Sequence, residues 1–295
     1  MKKAFGKIRT VGAVIVAAAL LAIFIIFACN ESLTVKHYSV GTGENDGNTA
    51  EKIRIVFLSD LHSTDFGKEQ QILADTVEKE EPDIVIFGGD IFEEDADSEV
   101  TWETLKIFSE KYPCFYATGN HDYGYSDISG IKMTDILSRI EELGIKVLDG
   151  KTFTFGKNGK SVDVCGTDDI FCKPVREIDG LYYFDELTEC ENSAKKSENF
   201  VIFVTHRPSY IDSYIKEGEF DLVLCGHEHG GQWRLPGLID GIYSPDEGLF
   251  PRYAGGEYDF PEKRAKMIVS RGLALDNTFI PRLFNRPEIV VIDVG

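Results

Sequence analysis

The order of apolar segments predicts an α/β architecture, with two mixed sheets packed face to face and helices outside. Three observations carry this reading. Short, nearly continuous apolar runs at Ile53 to Leu58, Ile84 to Phe87, Phe115 to Ala117, Phe200 to Val204 and Leu222 to Leu224 have the composition of strands buried on both faces. Segments with helical spacing lie between the earlier runs, the alternation of β-α-β units. Each run also stops at Asp, His or Asn, and the ends of strands are where α/β folds gather their sites.

Taken in order, the chain begins with Lys2, Lys3, Lys7 and Arg9, followed by no charged residue from Thr10 to Asn30. The stretch Val11 to Ala28, rich in Val, Ala, Leu, Ile and Phe, approaches the roughly 20 residues that cross a bilayer as a helix. Residues 1–30 are therefore expected to be a single-pass transmembrane helix in the cell membrane. The basic start would stay in the cytoplasm and the rest of the chain outside it. A cleaved signal peptide, giving a secreted protein, fits the same pattern. So does lipid anchoring at Cys29, because Ile26-Phe27-Ala28-Cys29 is similar to a bacterial lipoprotein processing box. Residues 31–51 are polar, with Gly41, Gly43 and Gly47, and read as a flexible tether. The folded domain is expected to span residues 52–295.

Within it, Lys68 to Glu80 places Ile72, Leu73 and Val77 at helical spacing, Val100 to Lys111 places Leu105, Ile107 and Phe108, and Lys132 to Leu143 places Ile136, Leu137 and Ile140. Farther on, Thr152 to Phe155 and Ser161 to Cys165 flank Asn158-Gly159, a strong hairpin signal. Met267 to Ser270 and Ile289 to Val294 supply further strands. The loops Gly124 to Met133, Ile170 to Ser197 and Trp233 to Tyr258 are left to form a pocket.

The formal charge of −19 repels a phosphate backbone, so a nucleic-acid substrate is disfavoured. The 6 cysteines show no zinc-finger spacing. Cys114 and Cys225 lie in or beside apolar runs and read as core, whereas Cys172 and Cys190 could pair.

The strand ends carry the chemistry. They read Asp60-Leu61-His62, Gly88-Gly89-Asp90, Gly119-Asn120-His121-Asp122, Thr205-His206-Arg207-Pro208 and Gly226-His227-Glu228-His229, and of the 6 histidines only His37 lies elsewhere. Carboxylate, imidazole and amide donors without sulfur suit manganese, iron or zinc. Asp60 and His62 can bracket one ion, Asp90 can bridge two through its separate oxygens, and His227 and His229 deliver two imidazoles from one turn.

Together these blocks resemble the calcineurin-like metallophosphoesterase superfamily. The continuation Gly230-Gly231-Gln232, with Ser270-Arg271-Gly272 and Arg286-Pro287-Glu288, is similar to its membrane-associated bacterial branch. The resemblance implies a four-layer α-β-β-α sandwich. It implies one divalent metal ion on Asp60, His62 and His229 and a second on Asn120, His206 and His227, with Asp90 bridging. The ions would stand about 3.5–4 Å apart and activate a water whose hydroxide attacks phosphorus. His121 would be the general acid for the leaving group, and Asp122 would orient an imidazole. Glu228, where many members carry Thr, would add negative charge near the ions. Arg271 is the preferred substrate contact among Arg207, Arg234, Arg252 and Arg271. The implied reaction is hydrolysis of a phosphomonoester, phosphodiester or pyrophosphate, on a phosphorylated small molecule or a lipid-linked envelope precursor. Two rival readings remain: a non-catalytic metal-binding module at the membrane, and a mononuclear metal hydrolase of amides.

Overall fold

Alternate side chains of each strand enter different cores, which fixes the layering before any long-range contact is considered. In the computed structural model, which describes residues 2–41, 52–172, 174–275 and 281–295, the first helix is α1 (Lys2–Ala28) and the first strands are β1 (Thr34–Val40) and β2 (Ile53–Leu58). From β2, Ile53, Ile55 and Phe57 point to one cluster and Val56 and Leu58 to another. Helix α2 (Gln71–Lys79), β3 (Ile84–Gly88), α3 (Ser98–Ser109), β4 (Cys114–Ala117), α4 (Asn120–Ser129), α5 (Met133–Glu142) and β5 (Lys146–Val147) complete the first half. The second half runs β6 (Thr152–Lys157), β7 (Lys160–Gly166), β8 (Arg176–Ile178), β9 (Leu181–Tyr183), α6 (Asp185–Ala194), β10 (Phe200–Val204), α7 (Ile211–Tyr214) and β11 (Leu222–Cys225). It ends with β12 (Tyr243–Ser244), β13 (Gly248–Leu249), β14 (Gly256–Phe260), β15 (Ala265–Val269) and β16 (Glu288–Val294).

Two 6-stranded sheets result, in the orders β1-β16-β2-β3-β4-β5 and β14-β15-β11-β10-β7-β6. Both are mixed: β2, β3, β4 and β5 run parallel beside an antiparallel β16, and β7, β10, β11 and β15 run parallel between antiparallel β6 and β14. Ile55, Phe57, Ile86 and Phe115 of one sheet and Val164, Ile202, Leu222 and Ile268 of the other share the cluster between the sheets. A second cluster joins Val85 and Phe87 to Leu73, Leu105 and Ile136 of the helices outside the first sheet. A third joins Phe203 and Val223 to Leu187 and Ile211 outside the second. This is the expected helix-sheet-sheet-helix order.

Local signals explain most elements. The Asp97 carboxylate accepts from Glu99 N at 3.0 Å and caps α3. Ile136 and Ile140, one turn apart, are the buried stripe of α5. Asn158 and Gly159 take φ of 52° and 82°, as a two-residue hairpin turn between β6 and β7 requires.

The expected tether needs correction over part of its length. Thr34–Val40 pairs in parallel with Glu288–Val294 and forms an edge of the first sheet. Its polar alternation hides a strand with only Val40 buried. The rest of that stretch, 42–51, lies outside the described residues. All six cysteines are free thiols, and Cys190 lies against Cys165 and the Gly166 carbonyl, so the suggested pairing with Cys172 does not form.

Helix α1 occupies the predicted apolar segment. Among the described residues no helix is long and apolar enough to cross a membrane.

Candidate metal centre

Parallel pairing of β2 with β3 and β3 with β4 aligns Leu58 with Phe87 and Gly88 with Ala117, so Asp60, Asp90 and Asn120 leave adjacent strand ends. In the second sheet Val204 aligns with Leu224, bringing out His206 and His227 side by side. Face-to-face packing then closes the two sets on each other. His227 N donates to Asp60 Oδ1 at 2.8 Å, and His206 Nδ1 lies 2.9 Å from the Gly88 carbonyl, linking one sheet's turns to the other's.

Tight backbone makes these turns possible. Asp60, His62, Asp90, His227 and His229 all have φ between 47° and 71°, left-handed values that side-chain-bearing residues rarely adopt. A Cβ at Gly119 would lie 2.2 Å from Asp90 Oδ1, and one at Gly226 would lie 1.9 Å from Ser59 Oγ. Glycine is required at both positions for the strand ends to meet.

Donor atoms of Asp60, His62 and His229 lie within 4.8 Å of one another, and so do those of Asp90, His206 and His227. All six residues are buried. Asp90 lies between the groups, with Oδ2 at 2.9 Å from His206 Nε2 and 3.8 Å from His62 Nε2. Buried carboxylates and imidazoles in converging sets, without sulfur, fit divalent metal ions. The structure thus brings the six predicted carboxylate and imidazole donors together, and Asn120 is tied to His227 of the second group through Arg207, its Oδ1 accepting from Nη2 at 2.9 Å.

Three of the four imidazoles have the outward nitrogen against an acceptor, the arrangement that fixes the tautomer of a metal-binding histidine. His62 Nδ1 lies 2.5 Å from Glu93, His206 Nδ1 meets the Gly88 carbonyl, and His227 Nε2 lies 3.1 Å from Asp246. His121 stands outside these two groups but shares a third with His62 and Glu93. Its ring packs edge-on against His62 at 4.5 Å, its N donates to Asp90 Oδ1 at 2.7 Å, and its Nδ1 lies 2.6 Å from Glu94.

Charge follows from these contacts. Burial alone would raise the Asp90 carboxyl, but His206 holds it well below the usual range. Burial works against the cationic forms of His206 and His121. Even so, Asp90 raises His206 to about 10, and Glu93, Asp90 and Glu94 raise His121 to about 10. Burial lowers His227 and His229, keeping them neutral and available as donors. Glu228 is wholly buried, and burial pushes its carboxyl up to about 8.

Several residues have roles that the sequence reading did not give them. Asp122 orients no imidazole: it accepts from the backbone N–H groups of Asp90, Ile91, Phe92 and Gly119 and ties two ligand turns together. Glu93, Glu94 and Asp246 were not singled out. The acidic run Glu93-Glu94, immediately after Asp90-Ile91-Phe92, was the available signal for the first two. Arg271 is held by Glu288, through Nε at 2.7 Å and Nη2 at 2.6 Å. Two other arginines reach the predicted ligands: Arg207 contacts Asn120 and His227 along with Asp246 and Asp169, and Arg282 lies 3.5 Å from His229 Nδ1.

The family model for calcineurin-like phosphoesterases matches residues 53–231, and the chain belongs to that family. Among curated relatives, it is similar to phosphodiesterase YaeI of Escherichia coli, with 26% identity over 84% of each chain. It is also similar to the uncharacterized metallophosphoesterase Cj0846 of Campylobacter jejuni, with 29% identity over 84% of this chain and 60% of that one. Among solved structures, the NAD nucleotidase NadN of Haemophilus influenzae matches with a TM-score of 0.47 and 15% identity, over 76% of this chain and 46% of the other. Family and donor set together define a phosphoesterase, and the family implies divalent metal ions.

Proposed function

We propose that the protein is a dinuclear metal-dependent phosphoesterase anchored at the cell membrane, with its catalytic domain outside the cytoplasm. The observation that carries the dinuclear part is the pair of buried nitrogen and oxygen donor sets meeting at Asp90. One ion would be held by Asp60, His62 and His229, the other by Asn120, His206 and His227, with Asp90 between them. When bound, such ions polarise phosphoryl oxygens and supply a nucleophile at neutral pH. His121, part-exposed beside the ligands and protonated through its carboxylate neighbours, donates a proton to the leaving oxygen. Arg207, held by Asp169 and Asp246, steadies Asn120 and His227, and Glu94 holds the His121 ring.

The relative named a phosphodiesterase, matched along most of both chains, favours a phosphodiester over a monoester. Anchoring is supported by α1, whose described side chains from Val14 to Phe27 are apolar and mostly exposed, a surface that water does not favour. A further relative, from Danio rerio, is named a transmembrane protein with metallophosphoesterase domain and is 28% identical over 61% of this chain and 41% of that one. The four basic residues before the apolar run orient the anchor.

Hydrolysis of an aryl phosphodiester and an aryl phosphate in added manganese tests the reading. His121→Ala is expected to lower kcat by about 10²–10⁴-fold with both ions retained, and Asp90→Asn to lose activity together with metal. Turnover unchanged in both variants would leave a non-catalytic module; a single bound ion with amide hydrolysis would establish the mononuclear alternative. Protease added to intact cells should digest the domain, and full protection would reverse the topology.

A further inference from the structure

Large apolar side chains left in water are not spread evenly over this molecule. Outside α1, eleven are exposed among the described residues, and six of them fall between positions 233 and 250: Trp233, Leu235, Leu238, Tyr243, Leu249 and Phe250. Three are nearly as exposed as free side chains, Leu238 at 79%, Leu249 at 70% and Phe250 at 66%. Such a concentration in one short segment marks a contact surface rather than scattered surface residues.

Backbone bonds tie this segment to the metal centre on one side and to α1 on the other. It leaves directly from the turn of His229: Trp233 N and Ile242 N both donate to the Gly231 carbonyl, and Phe250 N donates to Ile242. The β12–β13 hairpin that exposes Leu249 also carries Asp246, which lies against His227. On the other side, Arg234 N donates to the Leu283 carbonyl and Leu283 N to the Gln232 carbonyl. The next residue, Phe284, donates its N–H to Ala28 at the end of α1 and packs its ring edge-on against Phe24 at 5.2 Å. The exposed segment thus continues the apolar surface of α1 to the turns that hold the ligands. Its composition suits a bilayer interface: the Trp233 indole N–H is bonded to the Pro281 carbonyl, leaving the ring's apolar body outward, and a second amphipathic ring, Tyr243, stands beside aliphatic side chains.

We propose that the segment Trp233–Phe250 is a second contact with the lipid bilayer, separate from the anchor, which seats the metal centre at headgroup depth so that the phosphoester it takes is carried by a lipid. The substrate part rests on the phosphoesterase reading above; the docking part does not. Leu238, Leu249 and Phe250 enter the acyl boundary, Trp233 and Tyr243 lie at the headgroups, and the ligand turns follow within a few residues.

Tryptophan fluorescence of the whole chain in phosphatidylcholine vesicles tests this, because the chain has 2 tryptophans and Trp102 packs edge-on against Phe92 with Arg139 over its ring in the helical layer. With brominated acyl chains, part of the emission should be quenched, and that part should be missing in Trp233→Phe. Emission equal in brominated and plain vesicles would overturn the proposal. So would a Trp233 signal that depends on protein concentration but not on bromination, which would assign the surface to a second copy of the chain. As a second arm, Leu238→Glu with Phe250→Glu should abolish the lipid-dependent quenching and lower hydrolysis of a vesicle-borne phosphodiester, while leaving hydrolysis of a soluble aryl phosphodiester unchanged. An equal loss on both substrates would overturn the substrate part. Quenching without turnover on either would support the docking surface and count against the phosphoesterase reading alone.

Discussion

Four backbone amides converge on the carboxylate of Asp122, at 2.8–3.0 Å, and this side chain makes the strongest prediction at the scale of single residues. It supplies acceptors that no strand or helix ladder provides at the Gly-Gly-Asp and Gly-Asn-His turns. Asp122→Ala strands these buried donors, each costing on the order of 1–3 kcal/mol before relaxation. A large drop in the urea midpoint is expected, with loss of metal from the Asp90 side, and an unchanged midpoint would show that water replaces the carboxylate. A milder effect is expected from Arg54, which holds Asp293 across the β2–β16 pair at 2.7 Å. The hydrogen bond from Arg54 lowers the Asp293 carboxyl below its ordinary range. The depressed pKa means that the stabilisation is fully present above the unfolded carboxyl's pKa, about 3.9, and is lost as pH falls through the folded value. Because both side chains are partly exposed, Arg54→Met should remove no more than about 1 kcal/mol. The difference between wild type and variant should vanish in acid, and a difference that grows there would contradict the assignment.

Among the elements, the ligand turns and the edge strand β1 matter most. Left-handed backbone at Asp60, His62, Asp90, His227 and His229 is tolerated because sheet packing and neighbouring glycines hold it. Gly119→Ala should therefore disable the site without unfolding either sheet: the added methyl would lie 2.2 Å from Asp90 Oδ1, so Asp90 must swing away from its place between the two donor groups. Metal content measured on a variant with a native circular dichroism spectrum tests this, and full occupancy would refute the packing argument. Strand β1 covers the outer edge of β16 through seven paired positions from Thr34↔Glu288 to Val40↔Val294. An uncovered edge is both less stable and an invitation to aggregate. A chain begun at Lys52 is expected to unfold at lower denaturant, and to aggregate sooner, than one begun at Glu31. Equal behaviour would make β1 dispensable.

Over the whole molecule, the centre is a place where two sheets meet, so metal and fold should stabilise each other. The buried carboxylates Asp60 and Asp90 face His206 at 3.9 and 2.9 Å, and Arg282 adds positive charge near Asp60. Bound ions replace that arrangement, and a ligand that binds only the folded state adds about 2.7 kcal/mol at a concentration one hundred times its dissociation constant. Chelation should lower the Tm, and manganese should restore it with a concentration dependence that Asp90→Asn loses. A Tm indifferent to chelator would deny the coupling. The same geometry sets a direction for approach. The donors lie at the strand ends, where the β12–β13 hairpin and the end of α1 also arrive.

The amino-acid sequence by itself determined the strand runs, the Asn158-Gly159 hairpin, the helical stripes of α2, α3 and α5, and the donor residues at the strand ends. Those features are local: period-two and helical patterns, turn chemistry and ligand types can all be read within a few residues. Only the tertiary structure decided which groups steady the ligands. Glu93 meets His62 across 31 positions, Asp246 meets His227 from a separate hairpin, and Asp122 binds amides 30–32 positions away. It also decided between the arginines, since Glu288 claims Arg271 while packing of the two sheets delivers Arg207 to Asn120 and His227. The strand nature of Thr34–Val40 likewise became visible only in its pairing with β16, because a half-exposed polar edge carries little apolar pattern. Contacts between distant segments are set by register and by the packing of layers, and neither leaves a mark on the residues next to them in the chain.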